Sequence, residues 1–290
     1  MNWSYENASY GHDDKQKLDI IIPNVENVHA IVYIHGGAYL FGSKREYPSF
    51  LIDYSKHNVF ATINYRIINE ENTIQMTDIL SDVENALLKI IELSKKNNVN
   101  IKDFILIGHS AGGHIGLLFG YKNQNEKIKT ASCISLAGPA DFTDDLGWSS
   151  MPMWGDDMET RLSFLSRVGS RLTGKTIELK QRNWTLQKNY SEFAKDIMEI
   201  SPISYINKNK KIPPTLLVHA RLDDQVPYSN AIRIKSALDK ASITNKLITT
   251  FGNADSHMLG GEVYSENSPI IFDNQSWVTE AKKWIETYLI

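Results

Sequence analysis

A single cysteine, Cys133, stands among 290 residues, so the chain cannot close a disulfide on itself or supply an all-cysteine metal site. Cys133 sits inside the apolar run from Ala131 to Ala137, which reads it as a small buried hydrophobe. Neither sign of charge is in excess. The 31 Lys and Arg against 34 Asp and Glu leave a net −3, so nothing draws in nucleic acid, and no basic amphipathic stretch marks a membrane surface. No apolar run approaches the roughly 18 residues that span a bilayer. The opening Met-Asn-Trp-Ser-Tyr-Glu-Asn lacks the positive and apolar regions of a secretory signal. These absences lead us to expect a cytoplasmic protein with neither nucleic-acid nor membrane partners; they do not bear on its oligomeric state.

What the chain does have is alternation. From Lys17 onward, short β-branched runs alternate with longer amphipathic ones. Strands are predicted at Leu18–Ile22, Ala30–His35, Val59–Tyr65, Phe104–Gly108, Ala131–Ala137, Thr215–Ala220 and Leu247–Phe251. Most are continuously apolar, as strands covered on both faces are. Between them, Ile79, Val83, Leu87, Ile90 and Ile91 fall on one helical stripe, with Asp82, Asn85, Lys89 and Glu92 opposite. Ala231, Ile234 and Leu238 repeat the pattern, as do Trp277, Ala281, Trp284, Ile285 and Tyr288. The order predicts one α/β domain over 1–290 with a doubly wound, mostly parallel sheet. One connection is too long: about 75 residues separate the fifth and sixth strands, far more than one crossover helix needs. It carries Trp148, Met151, Met153, Trp154, Met158, Phe164, Leu165 and Trp184. We expect residues 142–200 to form a helical cap over the carboxyl edge of the sheet; extra helices packed on its outside are the alternative.

The strongest local signal is Gly108-His109-Ser110-Ala111-Gly112-Gly113, set between a predicted strand and a helix. A Gly-x-Ser-x-Gly in that context is a nucleophile elbow, whose tight turn demands small flanking residues and lifts the serine to a helix N-terminus. The amide of Ala111 then faces developing negative charge. Earlier, His35-Gly36-Gly37-Ala38-Tyr39 closes the second strand. Its glycines leave the amides of Gly36 and Gly37 free of side chains, so that with Ala111 they form a three-donor oxyanion hole. A serine nucleophile needs a base. Where such an elbow occurs, the partners follow in the order serine, acid, histidine, which leaves His114, His219 and His257. His114 falls one turn into the helix and His219 within a strand, so His257, in a polar loop after the last strand, is the candidate base. Asp223 is the favoured acid, with its neighbour Asp224 and the earlier Asp141 as rivals.

The set His-Gly-Gly-Ala-Tyr, Gly-His-Ser-Ala-Gly-Gly, His-x-x-x-Asp-x-x-Val-Pro and a late histidine resembles the α/β-hydrolase superfamily. More narrowly it is similar to the carboxylesterase and hormone-sensitive-lipase-like esterases, which include kynurenine-formamidase-like and sugar-ester-cleaving members. Asn64-Tyr65-Arg66 resembles a segment of theirs. The resemblance implies a triad of Ser110, Asp223 and His257 and an oxyanion hole of Gly36, Gly37 and Ala111. Ala38 stands where a third glycine is commoner, and Met258 where glycine often follows the histidine. The implied activity is hydrolysis of small to medium, partly apolar carboxylic esters through an acyl-enzyme, with no metal and no cofactor. Tyr39, His109, Met153, Trp154 and Val226 are candidates for the substrate pocket. An amidase, formamidase or peptidase would use the same residues, and a non-catalytic ligand-binding protein on this fold is the reading from another class.

Overall fold

In the computed structural model, residues 2–69, 71, 73–123, 125–179, 195–207, 211–265, 267–272 and 275–290 are described. The strands are β1 (Tyr5–Ser9), β2 (Lys17–Ile21), β3 (Asn27–Ile34), β4 (Val59–Ile63), β5 (Asn100–His109), β6 (Thr130–Leu136), β7 (Thr215–Ala220) and β8 (Asn245–Thr250). They form one sheet in the order β1-β2-β4-β3-β5-β6-β7-β8. The pairs β1–β2 and β2–β4 are antiparallel and the rest are parallel. The helices are α1 (Met76–Lys96), α2 (Ala111–Lys122), α3 (Asp145–Ser149), α4 (Met158–Thr173), α5 (Tyr228–Lys240) and α6 (Ser276–Thr287).

The seven apolar runs all form strands, and Cys133 is buried within β6. The strand β1 carries no such signal. Its sequence Tyr-Glu-Asn-Ala-Ser is short and solvent-facing, because it lies at the sheet edge and has little apolar surface to bury. Helix α1 buries Ile79, Val83, Leu87 and Ile90, as the periodicity predicts, but also Asp82, which the pattern puts on the solvent side. A carboxylate is stable there only when paired, and Asp82 is: Arg66 Nε and Nη2 donate to it at 2.8–3.0 Å, the Arg66 amide at 2.9 Å and Gln16 Nε2 at 2.7 Å. A helical wheel carries no term for a partner sixteen residues away.

Layering follows from which faces are apolar. Ile79 and Val83 of α1 and Ile115 and Leu118 of α2 pack on one face of the sheet with Val32, Ile34 and Leu106. Trp277, Ala281 and Ile285 of α6, with Leu51 of the 3-10 turn Ser49–Lys56, pack on the other with Ile31, Tyr33 and Ile107. The connection leaving β3 thus runs over one face and the helix leaving β5 over the opposite one. Since β3 and β5 are parallel neighbours with Ile34 opposite Gly108, their carboxyl ends open a crevice, the usual ligand position in an open α/β sheet. Both glycine motifs sit on its lips.

The long connection between β6 and β7 contains α3, α4, the 3-10 turns Pro152–Trp154 and Pro202–Tyr205, and a helical stretch at 195–199. Leu162, Ile177, Leu179 and Ile197 give it a small core of its own. Trp184 lies outside the described residues.

Removing the fully buried Asp82 carboxylate takes the main acceptor from the Arg66 guanidinium, its amide and the Gln16 side chain at once. Asp82→Ala is expected to cost about 3 kcal/mol, read as a lower urea midpoint at unchanged slope. Glu92→Ala, which breaks only the surface contacts with Lys89 and Lys96, is expected to leave the midpoint where it was.

Candidate active site

Ser110 follows β5 and caps α2 with φ 52° and ψ −122°, a left-handed backbone that a side chain rarely adopts. Its surroundings enforce that geometry. A Cβ on Gly108 would lie 2.2 Å from the Gly112 carbonyl, and one on Gly112 would lie 2.0 Å from the Ile34 carbonyl oxygen. Helix α2 therefore starts pressed against β3 and β5, and the turn between is too short for ordinary dihedrals. The Ser110 amide donates to Leu136 O at 2.8 Å, which ties the strained residue to β6.

Across the crevice the glycine motif approaches as closely. A Cβ on Gly36 would stand 3.2 Å from Ser110 Cβ. Gly37, Ala38 and Tyr39 all have positive φ, at 104°, 49° and 67°. Such a run persists only where neighbours over-determine it. Here Leu40 N donates back to Gly37 O at 2.9 Å and Ile68 N to Tyr39 O at 2.8 Å. Tyr65 OH donates to His35 O at 3.1 Å while its ring stacks on His35 at 4.3 Å, which is what Asn64-Tyr65-Arg66 contributes. Among the described residues, no acceptor engages the amides of Gly36, Gly37 or Ala111.

His257 follows β8 in a loop yet is buried. Its Nδ1 donates to both carboxylate oxygens of Asp223, at 3.0 and 2.9 Å. Asp223 Oδ1 also accepts from the amides of Gln225 and Val226 at 2.9 and 2.8 Å, and His219 Nε2 stands 3.4 Å from Oδ2. Burial would raise the Asp223 carboxyl, but the His257 hydrogen bond, the charges of His257 and His219 and the Val226 amide together hold it below its ordinary value. The rivals lie elsewhere. Asp224 is exposed, and the Asp141 carboxylate is taken by Arg233 Nε at 2.6 Å and the Thr143 amide at 2.9 Å.

Ser110 and His257 open into one cavity of about 350 Å³. No hydrogen bond joins the Ser110 hydroxyl to the His257 ring, a looseness common in unliganded hydrolases. Of the expected pocket residues, His109, Met153 and Trp154 line this cavity, as do Phe164 and Met258. The insertion is anchored at the turn that carries Asp223: Met153 N donates to Asp224 O at 3.3 Å, and Trp154 Nε1 to Gln225 O at 2.8 Å. Trp154 stacks on Phe164 at 4.6 Å. Tyr39 and Val226 do not line the cavity. The left-handed turn rotates Tyr39 into the core, where its hydroxyl donates to His114 Nδ1 at 2.9 Å, and Val226 is buried behind the carboxylate its amide serves. Sequence reasoning missed Tyr33, Glu46, Val263 and Ile270 in the wall. The strand period alone could have aimed Tyr33 at the face opposite Ile34; the other three sit in irregular segments without period.

With this geometry in view, comparison with known proteins is informative. The BD-FAE family model, an α/β-hydrolase-type esterase domain, matches residues 18–238. The chain belongs to that family. The match includes Ser110 and Asp223 and stops short of His257. Membership makes the protein a carboxylic ester hydrolase. Among solved structures, a truncated carbohydrate esterase from gut microbiota superposes with TM-score 0.70 at 18% identity, covering 99% of this chain and 97% of its own. Esterase B of Lactobacillus rhamnosis gives 0.67 at 16% identity, covering 99% and 84%. Est2 of the Planctomycetes species Thermogutta terrifontis gives 0.64 at 18% identity, covering 94% and 88%. At these identities the likeness is one of fold. No curated protein matches the sequence. Among the described residues, no helix is long and apolar enough to cross a membrane.

Three buried histidines around the site are held neutral. Burial pushes His35, His109 and His114 down to about 4, the charge of His257 adding to the effect at His109. Unfolded histidine takes up its proton near pH 6.5. Below that pH the unfolded chain binds protons that the native state refuses until about pH 4, so stability is complete above pH 6.5 and declines as pH falls through that window. Each histidine is expected to cost about 1 to 2 kcal/mol by pH 5. Urea midpoints from pH 7.5 to 4.5 should fall accordingly, and His114→Gln should flatten the slope.

Proposed function

We propose that Ser110, His257 and Asp223 form a catalytic triad and that the amides of Gly36, Gly37 and Ala111 form its oxyanion hole. The observation that carries the proposal is the buried Asp223–His257 pair opening with a left-handed Ser110 into one cavity, beside backbone amides with no acceptor. In this reading the ring of His257 swings onto the serine hydroxyl as substrate enters. Its Nε2 takes the proton as Ser110 Oγ attacks the ester carbonyl carbon. The carbonyl oxygen, now anionic, rests on the three amides, and Asp223 steadies the imidazolium through Nδ1. Collapse expels the alcohol with the proton from Nε2 and leaves an acyl-serine. Water then repeats the sequence and releases the acid.

The substrate in this proposal is a small to medium, partly apolar ester, and the described part of the insertion, 142–179 and 195–200, is its cap. Met153, Trp154 and Phe164 in the cavity wall support that role. Esterase B bound to a tributyrin phosphonate inhibitor and Est2 phosphoramylated by tabun share the fold and give the serine reading its precedent.

Ser110→Ala is expected to abolish hydrolysis of p-nitrophenyl butyrate without lowering the thermal midpoint; a variant keeping a tenth of wild-type kcat would refute the nucleophile. Asp223→Asn should lower kcat by about 10³- to 10⁴-fold by holding the wrong imidazole tautomer, and Asp224→Asn should do far less. Trp154→Ala, which opens the wall beside Phe164, should change the kcat/KM ratio between acetate and hexanoate esters by roughly 10-fold. An unchanged ratio in Trp154→Ala would remove the insertion from substrate selection.

A further inference from the structure

We propose that Glu46 and Tyr33 form a polar subsite of the Ser110 cavity that binds a hydroxyl group on one arm of the ester. The proposal rests on the serine-esterase reading of that cavity and adds to it the chemistry of the bound group.

Both residues line the cavity. Tyr33 is fully buried, and its hydroxyl has no hydrogen-bond partner among the described residues. Leaving a phenol so is costly unless something else binds there. Glu46 is fixed from both sides by backbone: its amide donates to Ser43 O at 3.0 Å, and Ile270 N donates to the next carbonyl, that of Tyr47, at 2.8 Å. The cations that flank it in sequence are committed elsewhere. Lys44 Nζ lies 2.6 Å from Asp19, and Arg45 reaches Asp19 at 3.2 Å and Glu6 at 2.8 Å. No described cation pairs with Glu46. Burial lifts its carboxyl above the ordinary value against a weaker pull from Ser43, and burial, then the charge of Glu46, raises the Tyr33 phenol well above its usual range. The two groups share the cavity wall with the apolar Leu40, Phe41 and Ile270.

The donor and acceptor pattern selects the guest. A carboxylate only accepts, and a phenol beside it is placed to donate. A hydroxyl satisfies both, donating to Glu46 and accepting from Tyr33. An ether or carbonyl cannot donate to Glu46, and an ammonium cannot accept from Tyr33. A bare methylene would leave both unpaired, the situation in which polar sites discriminate most strongly. A Glu46 that merely closed the turn with Ser43 would select nothing.

The test compares kcat/KM within matched pairs. For the alcohol arm, glycerol monoacetate is set against propyl acetate; for the acyl arm, p-nitrophenyl 4-hydroxybutyrate against p-nitrophenyl butyrate. The wild type is expected to favour the hydroxylated member of at least one pair by about 10-fold or more, chiefly through KM, and the pair that responds identifies the arm. Tyr33→Phe and Glu46→Leu should each bring that ratio toward one, with Glu46→Gln, still an acceptor, between. No preference in either pair would overturn the proposal. So would a ratio unmoved by Tyr33→Phe and Glu46→Leu, or a stronger preference for 4-aminobutyrate esters that Glu46→Gln removes. Plain and hydroxylated esters all resisting the wild type would instead sink the esterase reading beneath it.

Discussion

The close approach of helix α2 to strands β3 and β5 is the constraint from which the site follows. Space for the backbone of Gly112 against the Ile34 carbonyl, and of Gly108 against Gly112, exists only without side chains. Because the helix begins so near the sheet, Ser110 has no room for ordinary dihedrals and takes φ 52°. That strain, of order 1–3 kcal/mol, is offset by the core beneath: Ile34, Leu106, Ile115 and Leu118 share one apolar cluster. Exposure of the serine at a helix N-terminus and an amide aimed over it are therefore consequences of one packing contact. A methyl group at Gly112 would push α2 away from β3 and lose the serine geometry together with the crevice.

The opposite lip is held by a different means. Three successive left-handed residues in the glycine loop are kept in place by polar contacts from distant parts of the chain. One of these is a relay. The Tyr39 hydroxyl donates to His114 Nδ1, and His114 Nε2 donates to Ile200 O at 2.6 Å. The neutral ring with its proton on Nε2 serves both bonds, the form that the low pKa given by burial favours. The relay links the glycine loop, helix α2 and the far end of the insertion in one chain of side chains, so the insertion is tied to the loop behind the site as well as to the Asp223 turn in front of it.

Much of this is legible in the sequence because it is local. A strand followed by Gly-His-Ser-Ala-Gly-Gly and a helix identifies the elbow, since steric demand and sequence spacing are the same fact there. The seven apolar runs are strands because burial on both faces leaves no other pattern. What escapes is non-local or lacks a period. Asp82 has a solvent-face position on the helical wheel and a buried one in the protein, because Arg66 and Gln16 reach it from other elements. Tyr39 reads as a pocket residue from its place beside the glycines, but three successive positive φ angles turn it into the core. Strand β1 has no apolar face to announce it. Glu46 sits in a turn, and only the return of the chain at Ile270 brings it to the cavity wall.

Electrostatics then sort the histidines. Four of them, His35, His109, His114 and His219, are buried and have lowered pKa values. Each gives a ring N–H to a backbone carbonyl: His35 to Gly36, His109 to His257 at 2.9 Å, His114 to Ile200 and His219 to Val226. A carbonyl satisfies one donor but stabilises imidazolium far less than a carboxylate does. His257, unlike these four, directs Nδ1 at a carboxylate within hydrogen-bonding distance. His219 approaches the same carboxylate only at 3.4 Å, with its Nε2 proton already given to Val226 O. The surrounding rings thus keep charge out of the site, and His109 props the backbone carbonyl of His257 itself. Asp223, held below its ordinary value, keeps its hydrogen bond to the His257 ring, and that ring faces the cavity into which Ser110 opens.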